Sequence, residues 1–359
     1  MAPRGRRDDR PAPAGWAALL EASAGLVLTA NALRPVGRRP TAVALTSLGG
    51  WTVSELPLLT LAGQVATTAA ALRRGVWRRP AGRAAVAAQA LSAGGLVALE
   101  VSARRSAEVL EAALVAGLGP GYRQVVDDAG LTPPEVACGP LGGVVPPRVR
   151  RRDHLLASGV PYGPAGSRNL LDVWGRRDRP GGGVAPVVIQ VPGGAWVSGD
   201  TRWQAYPLMA RLVRAGWLCV PISYRLSPGA SWPDQLVDVK RAIGWVKAHI
   251  AELGGDPGFV AITGGSAGGH LSALAALSAN HPSLQPGFED VDTAVQAAVP
   301  LYGVYDLADW DGRGGPATSI AFVERTVLKT PRSRDPRLWR AASPISWVGR
   351  DAPPVMLVH

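Results

Sequence analysis

From residue 169 onward the sequence alternates between short, nearly uninterrupted apolar runs and longer amphipathic stretches, and few folds tolerate that alternation. The runs are "NLLDVWG" (169–175), "APVVIQV" (185–191), "WLCVPISY" (217–224), "FVAITGG" (259–265), "VQAAVPLYG" (295–303) and "PPVMLVH" (353–359). A strand that is apolar at successive positions is buried on both faces, as in a mostly parallel sheet covered by helices on either side. The covering helices are expected within 202–216, 234–255 and 266–280, with Pro233 marking the start of the second and Gly254–Gly255 its end. The fold class is therefore α/β.

The fourth run carries the chemistry. In "FVAITGGSAGGHLSALAAL" (259–277) a buried strand ends at the pattern Gly264-x-Ser266-x-Gly268, and a helix follows at once. Glycines permit the abrupt turn without Cβ clashes, which lifts the Ser266 hydroxyl clear of the sheet edge. The helix N-terminus then aims backbone N–H groups, Ala267 first, at the place where a negatively charged oxygen would develop. Upstream, "VIQVPGGAWVSGD" (188–200) puts a small-residue loop after another strand. Gly193, Gly194 and Ala195 are the candidate second source of donors, with Gly194 and Ala195 favoured by position and Gly193 supporting the turn.

These segments, with "LYGVYDL" (301–307) and "AASPISWV" (341–348) ahead of "DAPPVMLVH" (351–359), resemble the α/β-hydrolase fold. The resemblance is to the hormone-sensitive-lipase-like group of esterases and lipases; kynurenine-formamidase-like and prenylcysteine-methylesterase-like hydrolases are similar as well. It covers about 200 residues and departs from the group at Pro192, where a histidine is usual, and at Ala195, where a third glycine is usual. Neither change removes a needed N–H. The resemblance implies hydrolysis of a small-molecule or lipid carboxylic ester through an acyl-Ser266 intermediate, with no metal and no organic cofactor.

The same resemblance places the triad acid in the loop after "PPVMLVH" and the histidine later still. On that reading both lie past His359, the sheet lacks its last strand and helix, and the truncated chain is an impaired enzyme. His359 is then the end of a core strand next to the site, not the base. His270, one turn beyond Ser266, is expected to point into packing; His249, His281 and His154 read as surface or capping residues. Asp306 follows a strand and is a remote candidate for the acid. Trp203, Tyr206 and Trp232 either flank the substrate pocket or pack in the core.

The first third of the chain is different. "GWAALLEASAGLVLTANAL" (15–33) and "TAVALTSLGGWTVSELPLLTLAGQVATTAAAL" (41–72) each contain one carboxylate, Glu21 and Glu55, and each is long enough to cross a bilayer. A weaker run spans 84–99, and 103–118 has the spacing of an amphipathic helix. Residues 1–120 are therefore expected to be a hydrophobic, membrane-associated helical region, 121–150 a Pro/Gly-rich linker and 151–359 the hydrolase domain. A soluble Ala-rich hairpin is the competing reading of the first region. The expected location is a bacterial cell membrane, with the orientation open because Arg flanks the segments at both ends.

The net charge of +11 does not indicate nucleic-acid binding. Its excess sits in residues 1–83, with 12 Arg against 4 acids, interleaved with apolar runs and without a basic and aromatic stripe. Cys138 and Cys219 form neither a disulfide framework nor a zinc-ligand spacing. Two other functions fit the same residues: an amide or formamide hydrolase using the same catalytic set, and a silent membrane protein that keeps a hydrolase-like fragment.

Overall fold

The structure is a computed structural model that describes residues 13–34, 50, 53–128, 150–178, 183–200, 204–309, 312 and 317–359. The chain divides into two compact units, Met1–Pro146 and Pro147–His359.

The first unit is helical: α1 (Pro13–Leu33), α2 (Pro57–Arg73), α3 (Pro80–Leu118) and the short α4 (Tyr122–Asp128). Proline occupies the first turn of α2 and α3, where its missing N–H costs nothing. For that reason the apolar run 41–72 is not one helix. It is helical at 53–55, breaks at Leu56 and resumes at Pro57 as a helix of 17 residues, while 41–49 and 51–52 lie outside the described residues. The runs 84–99 and 103–118, expected as separate segments, fuse into the 39-residue α3 because nothing in "LEVSARRSAEVLEAAL" (99–114) stops a helix. The expected linker 121–150 begins as helix α4, tied back by Tyr122 Oη and Arg123 Nε, which donate to the Glu111 carboxylate at 2.6 and 2.7 Å. Residues 129–149, with Cys138, lie outside the described residues.

Small residues bring these helices together. A Cβ on Gly95 of α3 would come within 2.6 Å of Thr29 Cγ2 on α1, so a larger residue here would force that side chain to move. At the same level the buried Thr29 and Ser92 hydroxyls are hydrogen-bonded at 2.9 Å, and Gln64 Nε2 of α2 donates to Ser92 Oγ at 2.9 Å. Leu20, Val27, Val65, Leu91 and Val97 point outward and are exposed. The helices over Gly15–Leu33 and Pro80–Leu118 are long and apolar enough to cross a membrane.

The second unit is built on a six-stranded sheet of order β1-β2-β4-β3-β5-β6. Its strands are β1 (Leu155–Pro161), β2 (Leu170–Trp174), β3 (Ala185–Val191), β4 (Leu218–Pro221), β5 (Gly255–Gly265) and β6 (Ala297–Leu301). β4, β3, β5 and β6 run parallel, and β1 and β2 are antiparallel at one side. The helices are α5 (Tyr206–Arg214), α6 (Asp234–His249), α7 (Ala267–Leu277), α8 (Ala317–Phe322) and α9 (Pro336–Ala341).

Alternation along β3 shows why both faces are covered. Val187, Ile189 and Val191 enter a core with Leu236, Val239 and Ile243 of α6 and Leu271 and Leu274 of α7. Val188 points the other way, into a smaller cluster with Met209 and Val213 of α5 and Cys219. Burying a side chain of this size is worth about 1.5–3 kcal/mol, so both layers are held by the same strand. This is the expected α/β-hydrolase sheet.

Two expectations need correction. β1 has no counterpart among the apolar runs, because "LLASGVP" mixes Ser and Gly into its apolar positions and pairs only with the antiparallel β2. The run 353–359 does lie parallel to β6, through the bridges Ala298 to Val355 and Leu301 to Val358. Backbone N–H groups of Ala298 and Tyr302 donate to Pro354 and Val358, and those of Met356 and Val358 donate to Ala298 and Pro300. But the run is not buried: Val355, Leu357 and His359 are exposed.

Candidate active site

The parallel strands β3 and β5 end side by side, Val191 opposite Gly264. Beyond β5 the chain reverses at Ser266, whose φ of 56° and ψ of −119° lie outside the ordinary range for a residue with a side chain. Such a conformation costs about 1–3 kcal/mol and persists only where the surroundings enforce it. Here the Ser266 N–H donates to the Leu301 carbonyl at 2.9 Å, and its carbonyl accepts from the His270 N–H at 2.9 Å. The flanking glycines are obligatory. A Cβ on Gly264 would lie 2.5 Å from the Val191 carbonyl oxygen, and one on Gly268 would overlap that same oxygen.

The loop after β3 folds against this elbow. A Cβ on Gly193 would be 2.5 Å from the Gly265 carbonyl oxygen and 3.5 Å from Ser266 Cβ. Gly194, Ala195 and Trp196 then follow with φ of 131°, 52° and 60°. Three consecutive residues in this region give a sharply curled turn. Among the described residues, the N–H groups of Gly194, Ala195 and Ala267 meet no hydrogen-bond acceptor. Gly193 differs: its N–H donates to Gln204 Oε1 at 2.8 Å, and its carbonyl accepts from Gln204 Nε2 at 3.0 Å. It therefore braces the loop rather than offering a donor, which narrows the three-residue expectation to Gly194 and Ala195.

Further supports surround the turn. Tyr224 Oη donates to the Pro192 carbonyl at 2.9 Å, and the Ser227 N–H donates to the Trp196 carbonyl at 2.8 Å. The buried Trp196 indole Nε1–H donates to His270 Nδ1 at 3.3 Å, with the rings edge to face. Gln204 and Tyr224 were not anticipated. Nothing local in sequence marks them, since each acts on backbone 11 or 32 residues away.

The histidines separate clearly. His270 is buried with both ring nitrogens engaged, Nδ1 by Trp196 and Nε2 by the Ala342 carbonyl at 2.8 Å. Burial drives its pKa down to about 4, against the hydrogen bond to Ala342, which acts the other way. It is therefore a neutral packing histidine, as expected, and cannot swing to the Ser266 hydroxyl. His249 stacks on Trp245, His281 meets Trp347 edge-on, and His154 stacks on Trp174. Among the described residues, no histidine is hydrogen-bonded to the Ser266 hydroxyl. Asp306 is half-buried on the segment after β6.

Of the aromatic candidates, Tyr206 packs on Trp174 with centroids 4.8 Å apart, and Trp232 is buried in the main core. Trp203 lies outside the described residues. Among the described residues no cluster of three or more His, Cys, Asp or Glu could hold a metal ion.

The family model BD-FAE matches residues 171–359, from β2 through the elbow to the last residue. The chain belongs to the BD-FAE family. Beyond that family segment, it is 45% identical over 344 residues to the probable carboxylic ester hydrolase LipM of Mycobacterium tuberculosis, covering 95% of this chain and 79% of LipM. It is 51% identical over 260 residues to the esterase LipQ of the same organism, covering 72% of this chain and 61% of LipQ. Among solved structures, a bifunctional GH43-CE protein of Bacteroides eggerthii is similar in fold. Its TM-score is 0.50 at 23% identity, over 56% of this chain and 30% of that one.

Proposed function

We propose that this chain hydrolyses carboxylic esters through an acyl-Ser266 intermediate. The Ser266 hydroxyl attacks the ester carbonyl, and the resulting oxyanion accepts hydrogen bonds from the N–H of Ala267 and from Gly194 and Ala195. A general base takes the Ser266 proton and returns it to the departing alcohol as the intermediate collapses, leaving the acyl group on Ser266. Water, activated by the same base, then attacks the acyl group, and the proton returned to Ser266 frees the acid. The observation that carries this reading is the strained Ser266 backbone at the strand–helix junction, with the curled 193–196 loop pressed against it. The reaction also needs a base for the Ser266 proton, a role that no hydrogen bond gives to any of the chain's five histidines. The names of the relatives, a carboxylic ester hydrolase and an esterase, favour ester over amide substrates.

The test compares wild type with Ser266→Ala on p-nitrophenyl acetate, butyrate and palmitate, and on N-formylkynurenine. Ester turnover should exceed formamide turnover and fall to the background rate in the variant. Equal rates in the two proteins would remove Ser266 from the mechanism.

The helical unit is read as embedded in a membrane. Its polarity supports this: Thr29 and Ser92 are sealed inside with Gln64 reaching Ser92, while Leu20, Val27, Leu91 and Val97 face out. In water that arrangement is costly. In lipid, internal hydrogen bonds and small residues are what hold helices together. Residues 84–99 of α3 carry no charge, whereas Glu100, Arg104, Arg105, Glu108 and Glu111 crowd its second half, which would emerge from the hydrocarbon. Extraction of cell membranes with alkaline carbonate should leave the chain in the pellet, and detergent should release it. Recovery in the carbonate supernatant would contradict the reading.

A further inference from the structure

The turn that presents Gly194 and Ala195 has no regular secondary structure to hold it, and it ends on Trp196, a bulky residue at positive φ. Its side chain is nonetheless buried and makes one polar contact, from indole Nε1–H to His270 Nδ1 at 3.3 Å. An indole nitrogen can only donate, so His270 Nδ1 must accept. The ring proton is then on Nε2, where the Ala342 carbonyl accepts it at 2.8 Å. One tautomer satisfies both contacts, and the neutral ring is the only form that does.

His270 is also fixed from its own side. It lies in the first turn of α7, and its backbone N–H donates to the Ser266 carbonyl. The Ala342 carbonyl belongs to the end of α9, where Ser343 Oγ accepts from the N–H groups of Leu307 and Ala308. A single imidazole therefore joins the loop bearing the candidate oxyanion donors, the helix bearing the candidate nucleophile and the segment that anchors residues 307–308. Burial, which keeps this ring uncharged down to about pH 4, is consistent with that use.

We propose that His270 and Trp196 are positioning residues for ester hydrolysis. Their hydrogen bond holds the Gly194–Ala195 peptides at a fixed distance from Ser266, so that both N–H groups meet the oxyanion in the transition state. Neither residue touches substrate. The proposal rests on the Ser266 reading above, and it differs from plain core packing in what it demands: a loose oxyanion loop weakens the transition state and leaves ground-state binding largely intact.

Four variants of the full chain test it: Trp196→Phe, which keeps an aromatic ring and removes the donor; His270→Phe, which removes both ring nitrogens; their double mutant; and His270→Gln, which retains one acceptor and one donor. With p-nitrophenyl butyrate, Trp196→Phe and His270→Phe should each lower kcat about 10- to 100-fold with KM changed less than about threefold. The double mutant should be no slower than His270→Phe alone, and His270→Gln should recover part of the loss. Inhibition by a trifluoromethyl ketone, which forms a tetrahedral oxyanion, should weaken in step with kcat. A Trp196→Phe enzyme within twofold of wild type, or losses that multiply in the double mutant, would overturn the proposal. Should His270→Phe fail to fold, Trp196→Phe with the ketone decides alone. The ring nitrogens of His270, read by 15N shifts in unmodified protein, should show protonated Nε2 and bare Nδ1; the opposite tautomer overturns the clamp whatever the kinetics. Retained activity in Ser266→Ala would instead indict the nucleophile assignment, which separates the two failures.

Discussion

Gly193 faces Ser266 across the end of the sheet with no room for a side chain between them: a Cβ on Gly193 would lie 3.5 Å from Ser266 Cβ and 2.5 Å from the Gly265 carbonyl oxygen. The obstacle is backbone at the end of β5, which cannot rotate away as a side chain could. Gly193→Ala should therefore push the loop off the elbow. Ester kcat is expected to fall more than about 100-fold, with stability lowered by about 1–3 kcal/mol, the usual cost of overpacking. Parallel urea titration and kinetics would check both.

Gln204 satisfies both main-chain groups of Gly193, as a neighbouring strand would. Gln204→Ala leaves that N–H and carbonyl without partners. Its kcat on p-nitrophenyl butyrate should drop about tenfold, because a loosened Gly193 displaces the donors that follow it. An unchanged kcat would show that the curled turn holds itself.

The low pKa of His270 has a thermodynamic consequence. Its folded value of about 4 lies below the ordinary 6.5, so the unfolded chain binds the extra proton first. The stability tied to a neutral His270 is fully present above about pH 6.5 and is lost as the pH falls towards 4. Over that window the loss is about 2–3 kcal/mol, from 1.36 kcal/mol per pKa unit. Urea midpoints at pH 7.5 and 4.5 should diverge by less in His270→Gln than in wild type. Equal divergence would mean that the imidazole is not held neutral by the fold.

Much of the fold was legible because strict local patterns wrote it. The β/α alternation located β2 to β6, and Gly264-x-Ser266-x-Gly268 located the elbow, since only glycine fits where backbones of neighbouring segments nearly touch. The same economy of signal explains what was missed. β1 pairs on an antiparallel flank where Ser158 and Gly159 are tolerated, so its pattern is diluted. The apolar run 41–72 reads as one segment because composition alone does not show that Pro57 begins a separate helix. The run 353–359 carries strand composition and does pair with β6, but its burial depends on what lies beyond it and not on the run itself.

In the site, sequence reading found the groups whose spacing is local and missed those whose partners are distant. Ser266, Gly194, Ala195 and Ala267 stand within motifs. Gln204, Tyr224 and the Trp196–His270 pair matter through contacts 11 to 74 residues apart, which no local pattern encodes. That His270 packs is legible from its place one turn beyond Ser266; what it packs against, and with which nitrogen, depends on the fold.

The most direct test of the central claim is covalent. The full chain, treated to completion with a fluorophosphonate and digested, should carry one adduct, on the peptide containing Ser266, and Ser266→Ala should carry none. An adduct on another residue with Ser266 unmodified, or equal labelling of the Ser266→Ala protein, would contradict the assignment of Ser266 as nucleophile.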